Sequence, residues 1–515
     1  MMPAHRSTVY LVGAGPGDCS LMTVKGLELI KTADCIIYDN LANPDLLKFR
    51  SNDCRLIYAG KKSGAHALQQ EEINQLLAVR AKINRRIVRL KGGDPFIFGR
   101  GAEEALYLKR KNINFEIVPG ISSAIAVPAY AGIPLTARGI TSAAGFIAGH
   151  EDAAKTKSSL DWNALAKALG TMVFLMGAGN LRLIVHKLLA CGKPRSTPVA
   201  LISRGTTAGQ KTVTGTLAGI VALAGKNKIR APAVIVVGEV VRLRKALNWF
   251  EKKPLFGKRV MVIRASHQAG ALSAKLMALG AEAIEIPVIK IVSLRPDRQL
   301  SAALSRRKYD WIIFTSQNGV SEFTAFLLRA GKDSRIFAGV KICCIGPETA
   351  RRLAEIGIKA DYVPRHYFAE AIVRHFRNPE FKGSRILILR ARQARDCLPR
   401  GLCRAGLTVK AVDLYDTRIE QESALSLKEE LKEGIDLVTF TSSSTVKNFV
   451  KLTGSDYRRR LAGAKIACIG PITSAALKEF GLQADIEAKV FTVNGLVEAV
   501  AGYHWGRPEK RMLDG

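Results

Sequence analysis

The sequence has no apolar run near the roughly 18 residues that a membrane-spanning helix needs, so we expect no contact with a membrane. Its nine cysteines include no CxxC pair and no His/Cys cluster at zinc spacing, which argues against a metal site. An odd number of cysteines without a disulfide framework indicates a reducing compartment, and we expect the protein in the cytoplasm. An apolar strand begins within the first eight residues, which leaves no room for a signal peptide.

Acidic residues are few beside basic ones, since 44 Asp and Glu oppose 78 Lys and Arg and leave a formal net charge of +34. The excess is spread over both halves of the chain. A positive cleft concentrates small polyanions, and basic surfaces also bind nucleic acid. No helix-turn-helix pattern and no aromatic-rich basic stripe accompanies the charge. We therefore expect a polyanionic small substrate and no nucleic acid.

The sequence also lacks a dinucleotide-binding fingerprint. Gly13-Ala14-Gly15-Pro16-Gly17 follows the first strand, but Asp18 stands where the pattern G-x-G-x-x-G requires its last glycine. The loop is thus glycine-rich without being a typical nicotinamide site.

The most informative stretch that is present runs from Val88 to Glu104. An apolar strand end is broken by Gly92-Gly93-Asp94, and a helix starts after Gly101. Two glycines let the backbone approach a ligand closely, and Asp94 adds a carboxylate. Strand, glycine loop and helix form the usual edge of a small-molecule site in an α/β sheet. The competing interpretation is a tight turn without a ligand.

Two charged residues, Asp39 and Lys61, follow other predicted strands directly. Open α/β sheets bind ligands at the carboxyl ends of their strands, so both residues are candidates for the same site. Solvated loop charges are the alternative for each of them.

Motifs in the first 245 residues resemble those of the uroporphyrinogen-III C-methyltransferases in type and order. The motifs are GAGPGD at 13–18, YDN at 38–40, GKK at 60–62, RLKGGDPFIFGRG at 89–101, VPGISSA at 118–124, AGIPLTARG at 131–139 and PAVIVVGEVV at 232–241. The resemblance implies that S-adenosylmethionine (SAM) methylates C2 and C7 of a tetrapyrrole with eight carboxylates and that precorrin-2 is the product. Ala137 departs from the family, which usually has histidine there.

The same resemblance implies the site residues of the first half. Asp39 matches the proposed proton acceptor and Lys61 the proposed proton donor, and moving a proton suits the methylation of a pyrrole carbon. For Met176, ordinary core packing is the competing interpretation. The residues that match the SAM site are Pro16, Gly92, Gly93, Asp94, Ile97, Ser122, Ser123, Met176 and Gly205.

Beyond a basic linker near Pro254 the chain contains an internal duplication. The segment 259–265 recurs at 385–391, and 310–323 recurs at 436–449, each 126 residues later. Each copy alternates strand and helix, so two similar α/β lobes with a cleft between them are expected. FTSQNG (314–319) and FTSSST (440–445) follow buried strands in the two copies and are suited to carboxylate binding. Helix N-capping is the competing interpretation of their hydroxyls.

This second half resembles uroporphyrinogen-III synthase over about 255–505. The family closes hydroxymethylbilane to uroporphyrinogen III with inversion of ring D, and it uses no cofactor. Tyr415 in the sequence DLYDT matches the tyrosine best placed as an acid, with a tyrosine packed at a lobe hinge as the alternative. Thr315, Ser316, Ser442, Ser443 and Thr473 match positions that contact the substrate.

We therefore expect a two-lobed methyltransferase fold over 1–250 followed by a two-lobed α/β synthase fold over 255–515. One expected synthase lobe covers 293–411, and the other combines 255–292 with 412–505. The expected function is bifunctional tetrapyrrole synthesis by a homodimer that associates through its first half. An active methyltransferase fused to a non-catalytic two-lobed ligand-binding module is the alternative.

Overall fold

The computed structural model describes residues 7–60, 68–150, 160–264, 266–306 and 309–505. The chain divides into two compact units whose boundary lies at Arg259–Val260, a few residues beyond the linker predicted near Pro254. The short segment Lys275–Glu282 groups with the first unit. Both units are mixed α/β structures, as the sequence predicts.

The first lobe of the first unit is a five-stranded, fully parallel sheet in the order β3-β2-β4-β1-β5. Its strands are rich in apolar residues because both faces of the sheet are covered. Val12, Ile36 and Val88 pack on one face, while Leu11 and Ile37 pack on the other. The elements are β1 Thr8–Gly13, α1 Val24–Thr32, β2 Cys35–Tyr38, β3 Arg55–Tyr58, α2 Gln70–Ala81, β4 Arg86–Lys91, α3 Gly101–Arg110 and β5 Asn114–Val118.

Helix α4, Ser123–Tyr130, leads into the second lobe, whose sheet has the order β6-β7-β10-β8-β9. Only the β6–β7 pair is parallel in this sheet, and the other neighbours are antiparallel. The elements are β6 Ala144–Ala148, α5 Trp162–Ala168, β7 Thr171–Leu175, α6 Leu181–Ala190, β8 Pro198–Ser203, β9 Lys211–Thr216, α7 Ile220–Lys226, β10 Ala233–Val237 and α8 Arg244–Leu247.

The second unit contains two further five-stranded sheets, with the orders β12-β11-β18-β19-β20 and β13-β17-β16-β14-β15. The strands are β11 Arg259–Ile263, β12 Glu282–Ile286, β13 Ile289–Ser293, β14 Trp311–Phe314, β15 Lys341–Cys344, β16 Arg385–Ala391, β17 Thr408–Ile419, β18 Leu437–Phe440, β19 Lys465–Cys468 and β20 Ile486–Glu487. The helices are α9 Ser266–Ala278, α10 Asp297–Arg306, α11 Gln317–Arg329, α12 Pro347–Ala354, α13 Ala369–Phe376, α14 Cys397–Arg404, α15 Ser423–Glu433, α16 Ser443–Thr453, α17 Tyr457–Arg460, α18 Pro471–Glu479 and α19 Val493–Ala501.

The duplication is visible in the strand orders, because β12-β11-β18-β19 corresponds strand by strand to β17-β16-β14-β15. The two copies exchange strands. The first copy supplies β11 and β12 to one sheet and β14 and β15 to the other, and the second copy does the reverse. Each lobe is therefore built from both copies, and equivalent loops lie at the carboxyl edges of both sheets.

The boundaries between the two synthase lobes differ from the predicted ones, which gave 293–411 to one lobe and 255–292 with 412–505 to the other. Strand β17 continues to Ile419 because its second part pairs antiparallel with β13, from Ile289 opposite Ile419 to Ser293 opposite Tyr415. The middle lobe thus holds strands from residue 289 to 419. Tyr415 lies inside β17.

No described helix combines the length and the apolar character that crossing a bilayer requires.

Candidate active sites

A cavity of about 800 Å³ lies at the carboxyl edge of the first sheet and extends to the second lobe of the same unit. Strands β1, β2 and β4 are neighbours, so the loops that follow them meet at this edge. A wider depression of about 1520 Å³ lies at the amino-terminal edge, beside Thr8 and Asn114. That depression is lined by α2, α3 and the amino-terminal ends of β1 and β5, whereas loops that follow strands line the cavity at the carboxyl edge, which is the better candidate for chemistry.

Three glycine loops are in direct backbone contact beside the cavity. Gly15 and Gly93 exchange two backbone hydrogen bonds of 3.2 and 3.0 Å. A Cβ atom on Gly13 would lie 2.5 Å from the Cα of Gly120, and a Cβ atom on Gly120 would lie 2.4 Å from the carbonyl oxygen of Gly93. Side chains at these positions would push the loops apart, which explains why the sequence has glycine in all three.

Asp94 holds these loops together and does not line the cavity. One carboxylate oxygen accepts hydrogen bonds from the amides of Phe96 and Ile97 at 2.8 and 3.1 Å, and the other accepts from the amide of Gly120 at 2.9 Å. The sequence interpretation gave this carboxylate to the ligand. In the structure one oxygen stabilises the turn of the β4 loop itself, and the other joins this loop to the loop after β5.

Most of the residues expected around SAM do line the cavity. Ser122 does not, because it is 3% exposed and its hydroxyl caps α4 by accepting from the amide of Ala124. The loop before β9 is tied to the first glycine loop, since the Thr206 hydroxyl donates to the Pro16 carbonyl. The expected residues that line the cavity are Pro16, Gly92, Gly93, Ile97, Ser123, Met176 and Gly205.

Met176 is not a core residue, so the competing interpretation of it is wrong. Its side chain is 54% exposed at the cavity, and its backbone has a φ of +57°, which non-glycine residues rarely adopt. Phe98, Arg100 and Arg204 also line the cavity with positive φ values. Unusual backbone conformations of this kind concentrate at functional sites, where the surrounding structure enforces them.

Asp39 faces the cavity from the end of β2. Its Oδ1 accepts a hydrogen bond from the amide of Leu41 at 3.1 Å, and its Oδ2 lies 3.3 Å from the guanidinium of Arg89. The carboxylate is therefore oriented by two donors and remains partly accessible. Lys61, the expected proton donor, lies outside the described residues.

A group of buried charges forms the floor of the cavity behind Asp39. Glu104 is fully buried, and its Oε1 accepts from Lys91 at 2.7 Å, from Arg89 at 3.3 Å and from Gln70 at 3.3 Å. Burial lowers the pKa of Lys91, the neighbouring Arg89 lowers it further, and Glu104 opposes both effects. Losing one member would leave an uncompensated buried charge, so the group fixes Arg89 firmly beside Asp39.

This group was not predicted from the sequence, because residues 87–90 were interpreted only as the apolar end of a strand. The pattern Arg-Ile-Val-Arg-Leu-Lys at 86–91 does contain a signal. Arg89 and Lys91 are two residues apart and lie on the same face of a strand that is buried from Ile87 onward. Buried cations at this spacing require an anionic partner, which α3 supplies as Glu104.

In the second unit the structure brings two predicted residues together. The Tyr415 hydroxyl lies 2.9 Å from the Ser316 hydroxyl, and either one can donate. Tyr415 is 5% exposed, and burial raises the pKa of its phenol, while hydrogen bonds from Ser316 and Asn318 lower it. The Tyr415 hydroxyl is therefore hydrogen-bonded to a side chain that lies just after the end of β14.

The other predicted residues of this half lie at or next to the N-terminal ends of helices. Ser316 and Ser442 cap α11 and α16, as the competing interpretation proposed. The Thr315 hydroxyl donates to the carbonyl of Leu389 at 3.2 Å. Thr473 is 3% exposed and lies inside the first turn of α18. Ser443 is the half-buried first residue of α16. What these loops present to a ligand is mainly helix N-termini. No described cluster of three or more His, Cys, Asp or Glu side chains is arranged to hold a metal ion.

Comparison with known proteins assigns both halves. The family model of tetrapyrrole (corrin/porphyrin) methylases matches residues 8–221, and that of uroporphyrinogen-III synthase matches residues 270–498. A porphyrin biosynthesis protein of Ruminiclostridium josui is 35% identical over 95% of this chain and 97% of its own length. The S-adenosyl-L-methionine-dependent uroporphyrinogen III methyltransferase of Methanosarcina barkeri is 50% identical over 48% of this chain and 97% of its own length.

Two further comparisons concern the first half alone. The siroheme synthase of Pseudomonas fluorescens is 46% identical over 47% of this chain. The match covers only 52% of the length of that relative. The crystal structure of uroporphyrin-III C-methyl transferase from Thermus thermophilus, complexed with S-adenyl homocysteine, is 37% identical and matches 46% of this chain with a TM-score of 0.40.

The chain belongs to the tetrapyrrole methylase family in its first half and to the uroporphyrinogen-III synthase family in its second half. It is a bifunctional enzyme of tetrapyrrole biosynthesis, and the reading of its second half as a mere ligand-binding module is not favoured.

Proposed function

We propose that the second half cyclises hydroxymethylbilane to uroporphyrinogen III and that the first half methylates this product at C2 and C7 with SAM to give precorrin-2. The observation that carries the proposal is the cavity at the carboxyl edge of the first sheet, which is lined by the glycine loops after β1 and β4, by Met176 and by Asp39. The M. barkeri relative named as S-adenosyl-L-methionine-dependent supports the choice of donor.

The residues of the cavity fit SAM by size and chemistry. Its volume of about 800 Å³ leaves room for the donor and for one edge of the acceptor. SAM supplies a methyl group on a sulfonium to a carbon nucleophile. The glycine loops provide backbone amides and carbonyls at close range, and Ile97, Val127 and Met176 provide apolar and polarisable contacts.

Asp39 is the proposed proton acceptor of the methylation. Arg89 and the amide of Leu41 hold its carboxylate toward the cavity, so one geometry is maintained through the reaction. The carboxylates of Asp39 and Glu104 balance the charges of Arg89 and Lys91 beneath the cavity. Lys61 remains the proposed proton donor because it lies in the GKK motif at 60–62.

The fit of the donor can be tested at Gly205, which lines the cavity. A Cβ atom on Gly205 would lie 2.4 Å from Cγ1 of Val127. We expect Gly205→Ala to weaken binding of S-adenosylhomocysteine, measured by calorimetry, by about tenfold or more, since overpacking costs about 1–3 kcal/mol.

Gly179 gives the matched control for this substitution. It lines the same cavity and has nothing within 4 Å of a Cβ atom, so Gly179→Ala is expected to keep normal affinity. Adding Val127→Ala to Gly205→Ala removes two of the clashing carbons and is expected to restore part of the binding. Equal affinities for both single variants would place the donor elsewhere.

Cyclisation in the second half is proposed to depend on Tyr415, assisted by Ser316, without a cofactor. The enzyme holds a flexible substrate in one folded geometry and helps water to leave, so positioning and one acid are sufficient. A direct test is the isomer composition of the product. With hydroxymethylbilane as sole substrate, the full chain is expected to yield uroporphyrinogen III, whereas a non-catalytic binding module would leave the spontaneous isomer I.

Assembly and location follow from the same proposal. We infer a homodimer formed by the first half, supported by Ile140 and Phe146, which are 44% and 38% exposed at and near the edge strand β6.

All nine cysteines are free thiols, which accords with the reducing cytoplasm.

A further inference from the structure

The internal duplication of the second half places two arginines at equivalent positions. Arg264 directly follows β11, and Arg390 lies near the end of β16, 126 residues later. Strands β11 and β16 also occupy the same place in their sheets. The two side chains therefore start from the same point of two similar lobes, and their surroundings can be compared directly.

Arg390 is neutralised within its own lobe. Its Nε lies 3.0 Å from Oδ1 of Asp413 on the adjoining strand β17, and a terminal nitrogen lies 2.9 Å from Oδ1 of Asp396. The guanidinium thus has two carboxylate partners, and its charge has a structural role.

The equivalent carboxylates are missing around Arg264. At the same spacing of 126 residues, Asp413 corresponds to Pro287, and Asp396 corresponds to Gly270. The Nε of Arg264 is buried and has no hydrogen-bond acceptor among the described residues. Buried donors normally have a partner, and a group from outside the chain can supply the acceptor where such a nitrogen lies beside a strand-end loop.

The position of Arg264 matches that of an anion site. Ile263 pairs with Phe440, so Arg264 lies next to the Thr441–Ser443 loop and the amino-terminal end of α16. That helix has eleven residues, and its first amides carry partial positive charge. Burial lowers the pKa of Arg264, and only the charge of Glu348 opposes this effect. Glu348 is itself engaged by Arg351 at 3.1 Å.

We propose that Arg264 binds a carboxylate of the linear tetrapyrrole substrate at the carboxyl edge of the β11 sheet, next to the N-terminus of α16. This inference rests on the proposed synthase function. A guanidinium binds a carboxylate through two parallel hydrogen bonds, so Arg264 fixes both the place and the orientation of one acidic side chain. It is a substrate-binding residue and takes no part in bond breaking.

The test compares cyclisation of hydroxymethylbilane by the full-length wild type, Arg264→Gln, Arg264→Lys and the control Arg335→Gln. Arg335 is 90% exposed, pairs with Asp333, and loses the same charge away from the strand ends. We expect Arg264→Gln to raise KM about tenfold with kcat changed less than about twofold. Its KM is expected to rise less steeply with salt, because one ionic contact is gone. Arg264→Lys is expected to recover part of the loss.

A second variant adds a charge and leaves the arginine in place. Pro287→Asp puts a carboxylate where Asp413 faces Arg390, so it is expected to occupy Arg264 and raise KM as Arg264→Gln does. Methylation of supplied uroporphyrinogen III is measured on each variant and is expected to be unchanged.

Two results would overturn the proposal, and they have different meanings. If the wild type does not cyclise the substrate, the proposed synthase function fails and this inference fails with it. If the wild type cyclises but Arg264→Gln and Pro287→Asp match Arg335→Gln in KM and in salt dependence, only the role of Arg264 is refuted.

Discussion

Asp39→Asn is expected to slow methylation of uroporphyrinogen III by about 10²- to 10⁴-fold, the range that general acid–base catalysis supplies. The substitution keeps the size of the side chain and an oxygen that can accept from the amide of Leu41. It removes the basic carboxylate and its ion pair with Arg89. Turnover is measured by transfer of labelled methyl groups from SAM.

Two measurements separate loss of the base from loss of structure. Binding of S-adenosylhomocysteine by Asp39→Asn is expected to stay within about threefold of wild type, because the hydrogen bonds of the Asp39 carboxylate go to Leu41 and Arg89 and not to the glycine loops. Cyclisation by the second half is expected to be normal. Methylation at the wild-type rate would exclude Asp39 as the proton acceptor.

Tyr415→Phe is expected to slow cyclisation by about 10²-fold, because a hydroxyl leaves readily only when it is protonated or strongly hydrogen-bonded. Burial raises the pKa of Tyr415, so the phenol stays protonated at neutral pH and can donate. Loss of the enzymatic step lets the substrate close spontaneously. The product is therefore expected to shift from uroporphyrinogen III toward isomer I, as read by chromatography of the oxidised porphyrins.

Ser316→Ala provides the matched control for this substitution. It removes the 2.9 Å hydrogen bond to Tyr415 but leaves the phenol in place, so a decrease of only severalfold is expected. If Tyr415 has only a packing role in its core cluster, the phenylalanine variant will cyclise normally. That outcome would leave the second half without an assigned acid.

The loops of the first half could be predicted from the sequence because local rules determine them. Gly92-Gly93 end a strand. Glycine is required at positions where two loop backbones are in contact, because a Cβ atom would not fit there. The role of Asp94 could not be predicted, since its partner Gly120 is distant in sequence and only the sheet brings the two together. For the same reason the sequence did not predict the buried charges of Arg89, Lys91 and Glu104, because Glu104 meets the two cations only through the packing of α3 on β4.

In the second half the 126-residue repeat predicted two similar lobes, and the structure contains them. The end of the middle lobe was misplaced because the sequence does not reveal that β17 pairs with β13 beyond residue 411. Antiparallel pairing between segments more than a hundred residues apart leaves no local pattern. The exposed state of Met176 was likewise hidden, because a methionine at the end of an apolar strand resembles a core residue.

The most direct test of the account is to incubate the full chain with hydroxymethylbilane and SAM and to follow the absorbance and mass of the products. A bifunctional enzyme is expected to form a tetrapyrrole of isomer III type that carries two added methyl groups, and to form unmethylated uroporphyrinogen III when SAM is omitted. An unmethylated isomer I product in the presence of SAM would contradict both assigned activities.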